Sequence, residues 1–139
     1  MPIVYGVDTA LGCTIAIWDG DLTSEDMHQQ LMRLANDPAW PPGPHHLVDA
    51  TSLGTVIIPD PELLELLYEG TNLVKEMRIA IVLPPDSIDA ATRYESTAGA
   101  FDAARFTDLA SACAYLGLSA QAVQAFVDRL RQTLPSSPS

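Results

Sequence analysis

The sequence predicts an α/β domain in which short strands and amphipathic helices alternate around one sheet. Three observations carry that expectation. Ile3, Tyr5 and Val7 alternate with Val4, Gly6 and Asp8, the period-two pattern of a half-buried strand. Ile79-Ala80-Ile81-Val82-Leu83 is apolar at every position, as a central strand covered on both faces requires. Polar helix caps recur between such runs, at Thr23, Asp60, Ser87, Asp108 and Ser119.

The elements follow in order. The turn from Thr9 to Gly12 joins the first strand to a second, Cys13 to Trp18, and predicts an antiparallel hairpin. Cys13, Ile15 and Ile17 fall on one face of that second strand and Ala16 and Trp18 on the other, and Asp19-Gly20-Asp21 is expected to close it. Thr23-Ser24-Glu25-Asp26 has the form of a capping box, with Met27, Leu31, Leu34 and Ala35 following at helical spacing until Asn36-Asp37-Pro38. Pro38, Pro41, Pro42, Gly43 and Pro44 make a stiff loop, from which a short strand, His46 to Asp49, emerges.

Asp60-Pro61-Glu62 starts the next helix, whose stripe is Leu63, Leu66, Leu67, Leu73, Val74 and Met77. Gly70 weakens it by about 1 kcal/mol relative to Ala, a cost that close packing against a neighbour would explain. Pro84 and Pro85 end the apolar strand. Ser87 caps a helix bearing Ile88, Ala91, Tyr94, Ala98 and Phe101, and Ala103 to Phe106 forms a last short strand. Asp108 caps a helix with Leu109, Ala112, Cys113 and Leu116, stopped at Gly117. Ser119 opens a final helix through Val123, Phe126, Val127, Leu130 and Leu134. No repeat or long linker divides the chain. The expected organisation is an α/β domain over 1–117, an additional amphipathic helix over 118–134 and a disordered tail over 135–139.

Composition excludes several functions. Seven Lys and Arg stand against 18 Asp and Glu, a formal charge of −11, which opposes binding to nucleic acid or to anionic membrane surfaces. Such charge serves solubility and repulsion between monomers. No cationic segment followed by an apolar run opens the chain, and no apolar stretch approaches the roughly 20 residues that span a bilayer. Cys13 and Cys113 form no CxxC unit and read as packed thiols. The expected setting is the cytoplasm.

The catalytic signatures of α/β proteins are missing. The chain has no GxGxxG, no GK[ST] and no GxSxG. His45, His46 and Asp49 offer the nearest approach to a metal cluster, but adjacent strand residues point to opposite faces, so no metal is expected. Asp19 and Asp21 lack the further oxygen ligands of a calcium loop. Cys13 shares its face with Ile15 and Ile17, a setting that does not activate a thiol. Asp49-Ala50-Thr51-Ser52 differs in position: in open α/β sheets, ligands bind beyond the carboxyl ends of the strands, where this group is expected to lie. The ordinary alternative is that Asp49, Thr51 and Ser52 only hydrogen-bond a turn.

Gly20-Asp21-Leu22-Thr23-Ser24-Glu25-Asp26, Asp37-Pro38-Ala39-Trp40 through Pro42-Gly43, and Leu47-Val48-Asp49 resemble the STAS-like family that includes SpoIIAA-like proteins. Arg93-Tyr94-Glu95, Arg105-Phe106-Thr107-Asp108 and Ala112-Cys113-Ala114-Tyr115-Leu116 extend the resemblance over about residues 1–117. It implies a mixed sheet of about five strands with helices mainly on one face, and no enzymatic activity. Relatives of this kind bind proteins or small ligands. The regulatory serine of anti-sigma factor antagonists would fall where this chain has Ile57-Ile58-Pro59, and Thr51 and Ser52 come too early to replace it. The helix after Gly117 also lies outside the family pattern.

The resulting expectation is a non-enzymatic binding or regulatory module without a cofactor, engaging a partner protein or a small apolar ligand, with a homodimer as its candidate assembly. Asp49, Thr51, Ser52 and Asp60 are the candidate contacts, and Trp18, Tyr68 and Tyr94 the candidates for an apolar pocket. Val123, Phe126, Val127 and Leu130 must be covered by the same chain or by another. The alternatives are a small enzyme using Asp49 with Thr51 or His46, and an assembly role for the last helix.

Overall fold

In the computed structural model, β1 (Ile3–Asp8) and β2 (Cys13–Thr23) pair antiparallel, from Ile3 opposite Trp18 to Asp8 opposite Cys13. The turn between them is held by Asp8 Oδ1, which accepts from the Leu11 amide at 3.0 Å, and by Gly12 at φ 61°. The structure describes residues 3–40, 43–57, 61, 65, 77–84 and 104–134. Helix α1 (Ser24–Ala35) follows β2 directly, because Thr23 and Asp26 close the reciprocal capping box that their spacing predicts. It ends at Asn36, whose side-chain amide donates to the Met32 carbonyl at 2.8 Å.

The chain then returns as β3 (His45–Ile57), parallel to β2, and β4 (Arg78–Val82) and β5 (Ala104–Phe106) add in parallel beyond it. The result is a five-stranded mixed sheet in the order β1-β2-β3-β4-β5. Asp108 caps α2 (Leu109–Leu116), Gly117 ends it in the left-handed conformation at φ 71°, and Ser119 caps α3 (Ala120–Arg131). Pro61 and Glu65 are helical; the remainder of that helix with Tyr68, its cap Asp60, the helix expected from Ser87 with Tyr94, and the tail over 135–139 lie outside the described residues.

Two faces of the sheet carry two cores. Ile3, Ala16, Val48, Ala50 and Ile81 meet Met27 of α1 on one. Cys13, Ile15, Ile17, Leu47, Ala80 and Val82 meet Ala112, Cys113 and Leu116 of α2 and Val123 and Val127 of α3 on the other. Strand alternation dictates this division, and the apolar run Ile79–Val82 of β4 feeds both faces. Two of the three described helices thus share one face, with α3 among them.

The structure corrects the sequence on strand length. β2 continues past Asp19-Gly20-Asp21 to Thr23, and β3 runs to Ile57 rather than ending at Asp49. Polar and glycine residues that read as turns are accommodated inside a ladder whose register slips between Ile17 and Asp19 and again between Gly20 and Leu22. Gly20 sits at φ 70°, and a Cβ on Gly54 would stand 2.6 Å from Asp21 Oδ1, so the slipped ribbon uses glycine on both strands.

Helix α3 is seated on the sheet by a close approach at Gly6. A Cβ there would lie 2.7 Å from Phe126 Cε1 and Cζ and 3.2 Å from Leu130 Cδ2. Arg129 packs on the same Phe126 ring, 5.4 Å from its centroid, so the ring is confined from two sides. Gly6→Ala is expected to lower stability by about 1–2 kcal/mol, an overpacking cost read from the urea midpoint, and Phe126→Leu in the same chain should recover part of it.

Candidate functional site

Asp49 is the last β3 residue paired with β4, opposite Val82, so it marks the carboxyl end of the β3–β4 ladder although β3 itself continues. Its parity with Leu47 sends its side chain to the face covered by α2 and α3. Beyond it the register slip pairs Ile17 with Asp49 and Asp19 with Ser52, which sets three steps of β3 against two of β2. Strict alternation is broken there. Thr51 and Ser52 therefore both reach the group that Asp49 faces.

That group is Arg131, in the last turn of α3. Its Nη2 donates to Asp49 Oδ2 at 3.0 Å and to Thr51 Oγ1 at 3.1 Å, while Nη1 donates to Ser52 Oγ at 3.0 Å. The other carboxylate oxygen, Oδ1, accepts from the Thr51 amide at 3.0 Å and from the Thr51 hydroxyl at 2.7 Å. The Asp49 side chain is 7% exposed and that of Arg131 30%. The planar guanidinium suits this task because its donors fork in fixed directions. Its place at a helix C-terminus also matches the negative end of the helix dipole.

The structure thus brings Asp49, Thr51 and Ser52 together and adds a residue that sequence reading missed. Arg131 stands 82 positions from Asp49, and nothing local marks the pairing. The one available signal was its location at the end of an amphipathic helix in a chain with only seven basic side chains. Trp18 lies on the opposite, α1-facing side of the sheet, packed against the core there and apart from Asp49. Val123 and Val127 are fully buried against the chain's own sheet, with Phe126 and Leu130 packed beside them.

His46 and Asp49 do not form a pair. They are three residues apart on β3, so alternation places them on opposite faces. His46 is 7% exposed, and burial pulls its imidazole from 6.5 down to about 4. Its strand partner is Thr14, fully buried on the same side. Cys13 and Cys113 are both buried free thiols in the α2–α3 core. Burial, then the neighbouring Cys113, pushes the Cys13 thiol up to about 12, which leaves it without nucleophilic character at neutral pH. Tyr5 donates to Asp37 Oδ2 at 2.7 Å, and burial together with that bond raises its phenol to about 12. Among the described residues no group of three or more His, Cys, Asp and Glu is placed to hold a metal ion, and no helix is long and apolar enough to cross a membrane.

The fold is SpoIIAA-like. The chain is similar to an uncharacterised protein of the DUF3478 family with a SpoIIAA-like fold from Shewanella loihica PV-4, at a TM-score of 0.55 and 24% identity over 82% of this chain and 93% of that one. It is also similar to the anti-sigma factor antagonist SpoIIAA in its unphosphorylated form, at a TM-score of 0.53 and 9% identity over 93% of this chain and 97% of that one. At these identities the likeness is one of architecture. No protein-family model matches the sequence, and no curated protein matches it.

Two measurements test the site. Arg131→Met strands a buried carboxylate and is expected to cost about 2–3 kcal/mol, less than a fully buried pair because the guanidinium is partly solvated. Adding Asp49→Asn should return much of that loss in chemical denaturation. For His46, the native imidazole takes a proton only near pH 4, whereas an unfolded chain's does so near 6.5. Its stabilising contribution is complete above pH 6.5 and is lost as pH falls through 4. His46→Gln should flatten the fall of unfolding free energy between those limits relative to the parent protein, and an unchanged slope would contradict the assignment.

Proposed function

We propose that this chain is a non-enzymatic regulatory module that works by engaging a partner protein at the end of the β2–β3 ribbon. The carrying observation is the state of Asp49: both carboxylate oxygens are engaged, one by Thr51 and one by Arg131. A carboxylate held in this way positions α3, and any use of it as a base would compete with the bonds from Thr51 and Arg131. An enzymatic use of Asp49 would first have to break the Arg131 contact, and His46 is not there to assist. The SpoIIAA-like fold adds support, since the named anti-sigma factor antagonist of this architecture acts on another protein.

The ribbon end is the surface that fits a partner best. β2 and β3 project past the last β4 pairing, Thr51 is exposed, and Ile57, at the tip, is 54% exposed despite being a large aliphatic residue. Isolated exposed aliphatics are common, so the argument rests on location as well as on area. A photo-crosslinking side chain at Ile57 is expected to give one discrete adduct in the native host, and Thr51→Lys should remove it. The same probe at Gln121, on the solvent side of α3, is the reference position. Identical adduct patterns at the two positions, or none at Ile57, would refute the reading.

A further inference from the structure

The sheet ends in two unlike edges. β5 is protected as edge strands commonly are, being three residues long with Arg105 at its centre. β1 runs for six residues without Lys, Arg, Pro or a break in register. Among the described residues, no backbone group pairs with its outer side. Val4, Tyr5, Gly6 and Val7 are only half-buried there.

The ladder itself says which groups of β1 are open. The Gly12 carbonyl accepts from the His45 amide of β3, so even-numbered groups at the start of β2 point to β3 and odd-numbered ones to β1. Cys13, Ile15 and Ile17 stand opposite Asp8, Gly6 and Val4. The backbone groups of Ile3, Tyr5 and Val7 therefore point away from β2.

What flanks this edge indicates its occupant. Helix α3 meets β1 at Gly6, through Phe126 and Leu130, and also packs on β2, so it straddles that strand pair. Neighbouring strands lie about 4.8 Å apart, so a second β1 laid against the first would bring two such helices to about 10 Å, an ordinary packing distance. Phe126 and Leu130, half-buried in the single chain, would gain that helix as cover. A lone strand from another protein brings no such helix.

Charge selects the register. Val4, Ile17 and Asp49 form one row across the sheet, and Arg131 meets Asp49 in that row. Arg129, two residues earlier, stands just short of the row; its guanidinium lies over Phe126 and makes no hydrogen bond among the described residues. A twofold axis at Gly6 would set Asp8 of the second copy opposite Val4. Asp8 shares the parity of Val4 and Gly6, so its side chain lies on the α3 side. Its Oδ1 takes the Leu11 amide, which leaves Oδ2 for Arg129 of the other copy. The same register sets Tyr5 against Val7, whose groups are the open ones. It also sets Gly6 against Gly6, where no side chain obstructs the two Phe126 rings. In a chain of charge −11, an edge on which a cation meets a carboxylate is where repulsion least opposes a second copy.

We infer that β1 is the seam of a homodimer, in which two copies pair antiparallel about a twofold axis at Gly6 and join their sheets edge to edge. The seam is separate from the projecting ribbon and does not depend on the partner reading.

Sedimentation equilibrium of the full chain tests it and should give a dimer. Val7→Pro removes an outward N–H, which an edge strand tolerates, and should give a folded monomer. Arg129→Glu, at an exposed position, should keep the fold and raise the dimer Kd about tenfold, since each interface holds the ion pair twice. A spin label on Thr9→Cys reads the register, because Thr9 is exposed and the native thiols Cys13 and Cys113 are buried. Thr9 lies three residues beyond the axis, so the two labelled Cα atoms should stand about 20 Å apart. A monomer at every concentration, a dimer that persists in folded Val7→Pro, an unchanged Kd in Arg129→Glu, or a label distance far from 20 Å would overturn the inference. Each of those results would leave the crosslinking test at Ile57 unaffected.

Discussion

The parallel pairing of β2 with β3 is the constraint on which the rest of the molecule depends. These are the two longest strands, and every other element is placed relative to them: β1 folds back on β2, β4 adds to β3, and the described helices cover their two faces. Because strand side chains alternate, a single pairing commits Ile15, Ile17 and Leu47 to one core and Ala16 and Val48 to the other. The slip beyond Ile17 and Asp49 is a local exception with a large consequence. It lets Asp49, Thr51 and Ser52 converge on one guanidinium, where strict alternation would have divided them.

Helix α3 shows how a terminal amphipathic element becomes integral to the domain. Its apolar stripe alone would suit a second chain equally well. Three features tie it to its own sheet: the buried pair Val123 and Val127, the Phe126 ring on Gly6, and the Arg131 fork at its end. The first supplies most of the attraction, the second fixes the distance of approach, and the third fixes rotation and register, because a planar guanidinium bonded to three side chains tolerates little angular error. In a strongly acidic chain, placing a scarce arginine against a buried aspartate also removes a charge that burial would otherwise penalise.

The sequence by itself determined whatever depends on neighbours along the chain. Alternation in Ile3 to Asp8, the Thr23–Asp26 box, the Asp108 and Ser119 caps, the Gly117 stop and the apolar run of β4 are all local choices, and the structure contains each of them. Asp49, Thr51 and Ser52 could be marked as a group for the same reason, being adjacent. The tertiary structure alone decided how far β2 and β3 extend, since Asp19-Gly20-Asp21 reads as a turn until a partner strand is there to pair with it. It also decided that α3 covers its own sheet and that Arg131 meets Asp49. Those outcomes rest on contacts between residues dozens of positions apart, and such contacts leave no period or spacing in the sequence.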